Sequence, residues 1–297
     1  MVVWFRGRVA EEADAMINIS SETAQRGGYV FEGIRAYWNP NFGVGILRLR
    51  SHLTRLFSSA QVLAIPHSFS EGSFRSAIAT LLRHNQLLEA DSYIRPSICI
   101  DSGRLATDPG FTVFDHVVCI PRDRRDLKTG LSAIISKWRR PQDSSMPPQV
   151  KSGGGYLAFR LPLLDRARAG VDHVLVLNEA GRVSEAEGAA VLAVDGTSVV
   201  AIPSSEGALE SITKDVVRHI AGSLGVPFTE RPISPSQLYR MDAVFLAGTL
   251  TELAPIEDLD GLRFDTSSNE VYLAIAQEFD RLRSGMVDGG LDRIEGA

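Results

Sequence analysis

An α/β fold built as two domains is what this sequence predicts, and three observations predict it. Apolar, β-rich runs alternate with stretches of helical spacing along nearly the whole chain. The length, 297 residues, exceeds one ordinary domain and suits two. The texture changes once, at 121–128 (PRDRRDLK), which is polar, basic and turn-like. That stretch reads as the link between a smaller N-terminal α/β domain over 1–120 and a larger domain over 131–297, with an interdomain loop over 121–130.

The elements follow in order. Residues 2–5 and 17–19 read as short strands, 29–37 as a strand interrupted by Gly33, and 45–49 as another. Residues 52–63 have helical spacing, with Leu53, Leu56, Phe57 and Ala60 on one face. A second helix spans 70–85, with Ser70 or Glu71 near its cap. Residues 92–100, 112–120 and 131–138 are strands. After a loop over 139–155, residues 156–169 read as a helix kinked at Pro162 and stopped by Gly170. A strand at 174–177, a turn at 179–182 and a hairpin of 188–194 with 198–202 around Asp195-Gly196 come next. A helix over 213–224 ended by Gly225, a strand at 243–247 and a last helix at 270–284 complete the pattern. Residues 287–297, rich in glycine and charge, read as loose.

Composition narrows the function classes. Hydrophobic residues make up 44% and charged residues 23%, so composition allows a sizeable core and disorder is not expected. A formal net charge of −5 argues against a general nucleic-acid surface. Cys99 and Cys119 sit in apolar runs without metal-ligand spacing, so they read as reduced core thiols, no metal is expected, and a cytoplasmic location follows. The N-terminal stretch carries acids early and does not read as a secretory leader. No segment approaches the roughly 18 apolar residues that a membrane span needs.

The chemistry gathers around one lysine. Lys151 stands in MPPQVKSGGGYL, between two prolines and three glycines, and the glycines permit close backbone approach. A loop lysine alone is ordinarily just solvated. Downstream, a strand and the turn Glu179-Ala-Gly-Arg182 lead to Val-Ser-Glu185, a candidate carboxylate partner for a pyridine nitrogen. Ser211-Ile-Thr213 precedes a helix, and a helix N-terminus is an anion site as well as a place for a simple N-cap. Gly248-Thr249 follows a strand, and Arg55 on the early helix adds a charged donor for the same anion. A lysine amine, an acid for a ring nitrogen and a phosphate site are what pyridoxal 5'-phosphate requires.

These pieces resemble a known family. VFEGIRAY (30–37), HLTRL (52–56), SYIRP (92–96), VKSGGGYL (150–157), GRVSE (181–185), SITKD (211–215) and AGTLTELAPI (247–256) occur in the order and spacing of the fold-type IV pyridoxal-phosphate enzymes. Within that class the chain is similar to the branched-chain and D-amino-acid aminotransferases. The resemblance implies that Lys151 is the Schiff-base lysine and that Glu185 pairs with the pyridine nitrogen. Tyr156 would bond the cofactor's phenolic oxygen, and Arg55, Ile212, Thr213 and Thr249 would hold the phosphate. Phe31, Arg35, Tyr93, Arg95 and Leu250 would line the substrate, and Tyr93-Ile-Arg95 matches the branched-chain branch. The implied fold is two α/β domains with the cofactor between them, in a homodimer whose sites borrow loops from the partner. The implied activity is transfer of an amino group from an amino donor to a keto acid or related carbonyl. A lyase of the aminodeoxychorismate lyase kind would share the lysine and glutamate, and a family member that has lost catalysis is a third reading.

Several positions depart from the family pattern. An Asn-x-Phe after the glutamate is replaced by Ala190 and Leu192, the Asn of Asn-Tyr-Leu is Gly155, the Gly before Ile-Thr is Ser211, and the small residue after Gly-Thr is Leu250. Four other changes introduce arginine: Arg26 for a tyrosine, Arg104 in the loop after the YIRP strand, and Arg122 with Arg125 in the aromatic interdomain loop. One reading is a pocket rebuilt for a substrate with an extra negative charge. The other is solvated loop arginines paired with Asp101, Asp123 or Asp126.

Overall fold

The computed structural model describes residues 1–287 and 290–293. The chain divides into two compact units. One comprises Met1–Arg124, Val150–Tyr156 and the stretch from Arg283 onward, and the other comprises Arg125–Gln149 and Leu157–Leu282. The Lys151 loop thus belongs to the first unit, although it lies in sequence among residues of the second.

The first unit is an antiparallel sheet with helices on one face. Its strand order is Leu291–Arg293, Gly43–Leu47, Ile34–Asn39, Ser92–Ser102, Thr112–Pro121, Val2–Phe5, Arg8–Glu11, with Tyr29–Phe31 added beside Ser92–Ser102. The period of two along Ser92–Ser102 sorts its side chains. Ile94, Ile98 and Ile100 enter the core with Leu53, Leu56, Phe74 and Leu81 of helices Leu49–Val62 and Glu71–His84. Tyr93, Arg95, Ser97 and Cys99 fall on the opposite face.

Three expectations change here. Residues 17–19 form no strand; Ile17 and Ile19 are exposed, since no neighbouring strand offers them a ladder. The stretch 156–169 is two helices, Gly153–Leu157 and Arg160–Ala169. Pro162 does not kink the second; it lies in the first turn, where an N–H would have no partner within the helix. Part of the tail is a strand: Leu291–Arg293 pairs with Gly43–Leu47. The rest of the expected loose stretch, 288–289 and 294–297, lies outside the described residues.

That last strand supports the helix carrying Arg55. The N-cap of Leu49–Val62 is Arg48, which is left-handed (φ 54°) and offers no side-chain cap. Asp292 supplies one from the C-terminal strand: its Oδ2 accepts the Leu49 N–H at 2.9 Å, and its Oδ1 lies 3.2 Å from Arg75 Nη2. Asp292→Ala is expected to lower stability by about 1 kcal/mol, the usual worth of a cap reinforced by the helix dipole. Asp292→Asn should retain most of that. Urea midpoints measure both, and an unchanged midpoint for the alanine variant would mean the strand's backbone pairing holds the tail alone.

The second unit is a mixed sheet that closes. Val183–Ala186 pairs with His173–Leu177 on one side and Ala189–Asp195 on the other. Continuing through Leu131–Arg139, Glu252–Leu259 and Ala243–Gly248, six strands form a ring. Small and branched apolar side chains of its strands pack into one cluster, among them Ala133, Leu175, Val191, Val244, Leu246 and Ile256. Gly248 is required by close packing, because a Cβ there would lie 2.6 Å from the Gly188 carbonyl oxygen.

Candidate active site

In the first unit, Lys151 is held by its backbone before its amine does anything. Its N–H donates to Ser59 Oγ at 3.2 Å, and its carbonyl accepts from Phe31 N at 3.0 Å. The glycines that follow admit aromatic and backbone neighbours: a Cβ on Gly153 would lie 2.2 Å from the Tyr29 ring, and one on Gly27 would lie 3.1 Å from Gly154 N. The Lys151 amine donates to the Tyr156 hydroxyl. Phe31 packs edge-on against Tyr156, with ring centroids 5.0 Å apart. Lys151 Nζ lies 5.0 Å from the Phe31 centroid, and the Arg95 guanidinium lies 4.0 Å from the same centroid. Tyr93 fits because residue 33 is glycine, whose Cβ would otherwise lie 2.7 Å from its hydroxyl. Burial raises the Tyr93 pKa against the opposing charge of Arg95. Beside them His116 is driven down to about 4 by burial and then by Arg95, so it is neutral at physiological pH.

Arg55 is engaged by a buried acid. Its Nε and Nη2 donate to the two oxygens of Glu32 at 2.6 and 2.8 Å, and His52 Nδ1 lies 2.8 Å from Glu32 Oε2. Burial opposes ionisation of Glu32, but Arg55 and His52 outweigh it and hold the carboxyl well below the usual range. Burial lowers the His52 pKa in spite of Glu32. Arg35, also buried, donates to the carbonyls of Arg122 and Asp123 at 2.8 and 3.1 Å, so it anchors the loop.

Three of the substituted arginines, Arg26, Arg104 and Arg122, are at the surface of this unit, while Arg125 is half-buried in the second unit. Arg26 Nη1 lies 2.8 Å from Glu22 Oε2, and Arg104 Nε lies 3.8 Å from the same oxygen. Both are more than half exposed, at 55% and 66% of the side chain. The Arg122 side chain is exposed. Asp101 pairs with Arg6, and Asp126 accepts from Lys128 N and Thr129 Oγ1 and feels the charge of Arg125. Asp123 contributes its carbonyl to Arg35.

In the second unit, a bulge between Val183 and Glu185 sets the direction of the glutamate. Glu185 is 5% exposed; Oε1 accepts from Arg140 Nε at 2.6 Å and Oε2 from Leu209 N at 3.2 Å. Arg140 was not found from sequence; it lies just past a predicted strand, among other cations, and shows no pattern of its own. Ser211 caps helix Ile212–Ser223 by accepting from Lys214 N at 3.1 Å. By helix geometry the amides of Ile212 and Thr213 then have no acceptor within the helix. Thr249 and Leu250 sit in the turn after Ala243–Gly248, with Leu250 44% exposed.

The class IV amino-transferase family model matches residues 29–259. The chain belongs to the class IV aminotransferases. It is 30% identical to the branched-chain-amino-acid aminotransferase of Escherichia coli (strain K12) over 98% of this chain and 97% of that protein. The crystal structure of the Escherichia coli branched-chain aminotransferase superposes with a TM-score of 0.92 at 29% identity, covering 99% of each chain. The T.th. branched-chain aminotransferase complexed with N-(5'-phosphopyridoxyl)-L-glutamate also gives 0.92, at 28% identity over 99% of this chain and 98% of that one. This class IV aminotransferase is therefore a fold-type IV, pyridoxal-phosphate-dependent enzyme, and the lyase and non-catalytic readings are not favoured. The residues fit the cofactor: an amine beside a phenol, a buried carboxylate with lone pairs beyond its two donors, and a capped helix N-terminus. Among the described residues no helix is long and apolar enough to cross a membrane.

Proposed function

We propose that this aminotransferase moves an amino group between an amino acid and a keto acid whose skeleton carries an anionic group beyond the α-carboxylate. The observation that carries the reading is that two introduced arginines, Arg26 and Arg104, converge on one oxygen of Glu22. Arg95 suits an α-carboxylate, with Tyr93 beside it. Arg104 also lies beside Asp108, which accepts its backbone N–H at 2.8 Å, so the Arg26 and Arg104 guanidinium groups would meet a substrate charge by exchanging Glu22 and Asp108 for it.

Pyridoxal phosphate, when bound, supplies a protonated ring that stabilises negative charge at the substrate's α-carbon. Lys151 would hold it through its amine and would serve as the acid and base beside the substrate's α-carbon. Tyr156 accepts from the Lys151 amine and orients it. Glu185, which accepts from Arg140 and the Leu209 amide, would hold the ring nitrogen's proton. By the resemblance, Ile212, Thr213, Thr249 and Arg55 would hold the phosphate. We assign the working form to a cytoplasmic homodimer.

The test compares kcat/KM for glutamate and aspartate with that for leucine, isoleucine and valine. The anionic substrates should lead by about 10- to 150-fold, the scale of one charge-assisted pair. Arg104→Ala should reduce the anionic substrates far more than the aliphatic ones. A wild-type preference for branched aliphatic substrates, or equal losses on both, returns these arginines to the solvated surface.

A further inference from the structure

Two residues before Lys151 in the chain, Gln149 makes a set of contacts that neither the sequence motifs nor the reaction explains. Its side-chain amide grips the loop 204–210 of the second unit. Nε2 donates to the Ala208 carbonyl at 2.7 Å and to the Ser204 carbonyl at 3.3 Å, and Oε1 accepts the Glu210 N–H at 3.1 Å. This is the pattern by which a neighbouring strand holds an extended segment: the carbonyl of one residue and the N–H of the residue two further on are taken from the same side. The N–H of the intervening residue then faces the other way. Here that N–H belongs to Leu209, and it donates to Glu185 Oε2 at 3.2 Å. The next residue after Glu210 is Ser211, the cap of helix Ile212–Ser223. Residues 208–211 have no helix or sheet of their own to hold them.

We propose that Gln149 is a positioning residue for the cofactor: it fixes the 208–210 segment so that Leu209 N–H is aimed at the Glu185 carboxylate and the start of helix Ile212–Ser223 is held in place. The proposal rests on the reading that Glu185 and Thr213 serve the cofactor. Gln149 is itself exposed, so its side chain adds little to the core and its loss leaves the fold intact. What its loss changes is the order of a short segment on which one carboxylate and one helix cap depend.

Pyridoxal 5'-phosphate is the probe, with its dissociation constant measured on full-length protein by fluorescence and the phosphorus resonance of the bound phosphate recorded. Gln149→Met keeps the length and removes both functions of the amide. It should weaken cofactor binding roughly tenfold and shift the phosphorus resonance, with thermal stability of the apoprotein unchanged. Gln149→Glu keeps the acceptor for Glu210 N–H and loses the donor to Ala208. The introduced carboxyl regains a donor when protonated, so its affinity relative to wild type should recover as pH falls from 7 to 5. Glu185→Gln and Thr213→Ala are the controls. Weakened binding in both controls with wild-type binding and resonance in Gln149→Met overturns the proposal. Wild-type binding in all three variants overturns instead the assignment of Glu185 and Thr213 to the cofactor.

Discussion

Lys151→Ala is expected to abolish turnover, by at least about 10⁴-fold, the upper range for one positioned acid–base group. The variant loses the covalent link as well as the proton carrier, so the two losses fall together. Borohydride treatment of the wild-type holoenzyme should fix the cofactor onto a peptide containing Lys151, and the variant should show no such adduct. Tyr156→Phe is the companion. It removes the phenol that accepts from the Lys151 amine but leaves the ring that packs on Phe31 at 5.0 Å. It should keep the adduct and lose rate by a smaller factor, with a shifted pH–rate profile because the amine has lost a partner. Retained wild-type turnover in Lys151→Ala would remove the lysine from the chemistry.

The site's chemistry was legible where it depends on residue type, and the fold where it depends on period. The hairpin around Asp195-Gly196 is found at Ala189–Asp195 and Ser198–Ala201, since a two-residue turn between apolar runs leaves little choice. Ser70 caps Glu71–His84 in a capping box closed by Ser73. The strand Glu252–Leu259 was missed because ELAPIEDL carries acids at both ends and a proline inside. Pro255 pairs with Phe245 on one side, and the other neighbour first pairs at Ile256, so the missing N–H falls at the margin of that ladder.

Partners of the named residues were less legible, because they depend on which loops meet. Sequence marks Arg55 but not that Glu32 takes one edge of its guanidinium. It marks Glu185 but not Arg140, which is 45 residues earlier. Arg35 reads as a substrate residue by resemblance, and its guanidinium is found holding the carbonyls of Arg122 and Asp123. In each case a buried charge has been given a partner, which burial requires and a linear pattern does not reveal.

Replacing Glu32 by glutamine should cost roughly 3–5 kcal/mol, the scale for breaking a buried pair from one side. Glu32 is fully buried and Arg55 is 15% exposed, so the guanidinium cannot be rehydrated without local opening. The same variant should weaken cofactor binding, because Arg55 loses the carboxylate that fixes its Nε and Nη2 edge. The pH dependence carries two signs that add. The Glu32 pKa is depressed in the folded protein, so its contribution is complete above its ordinary value of 4.5 and is lost as pH falls further. His52 is also depressed from 6.5, by burial; the unfolded chain takes up its proton first, so stability begins to fall below about that pH. Wild-type stability, followed by urea midpoint, should therefore decline in two stages on acidification, the first set by the depressed histidines His52, His67 and His116 and the second by Glu32 with the other depressed carboxylates. His52→Asn should shrink the first stage, leaving the part due to His116 and His67, and leave the second. Glu32→Gln should reduce the second, leaving the part due to Asp101, Asp172 and Glu187, and begin from a much lower midpoint at pH 7. A Glu32→Gln variant as stable as wild type at pH 7 would show that the Arg55 charge is satisfied without this carboxylate, and the buried triad would then be no support for the helix that carries it.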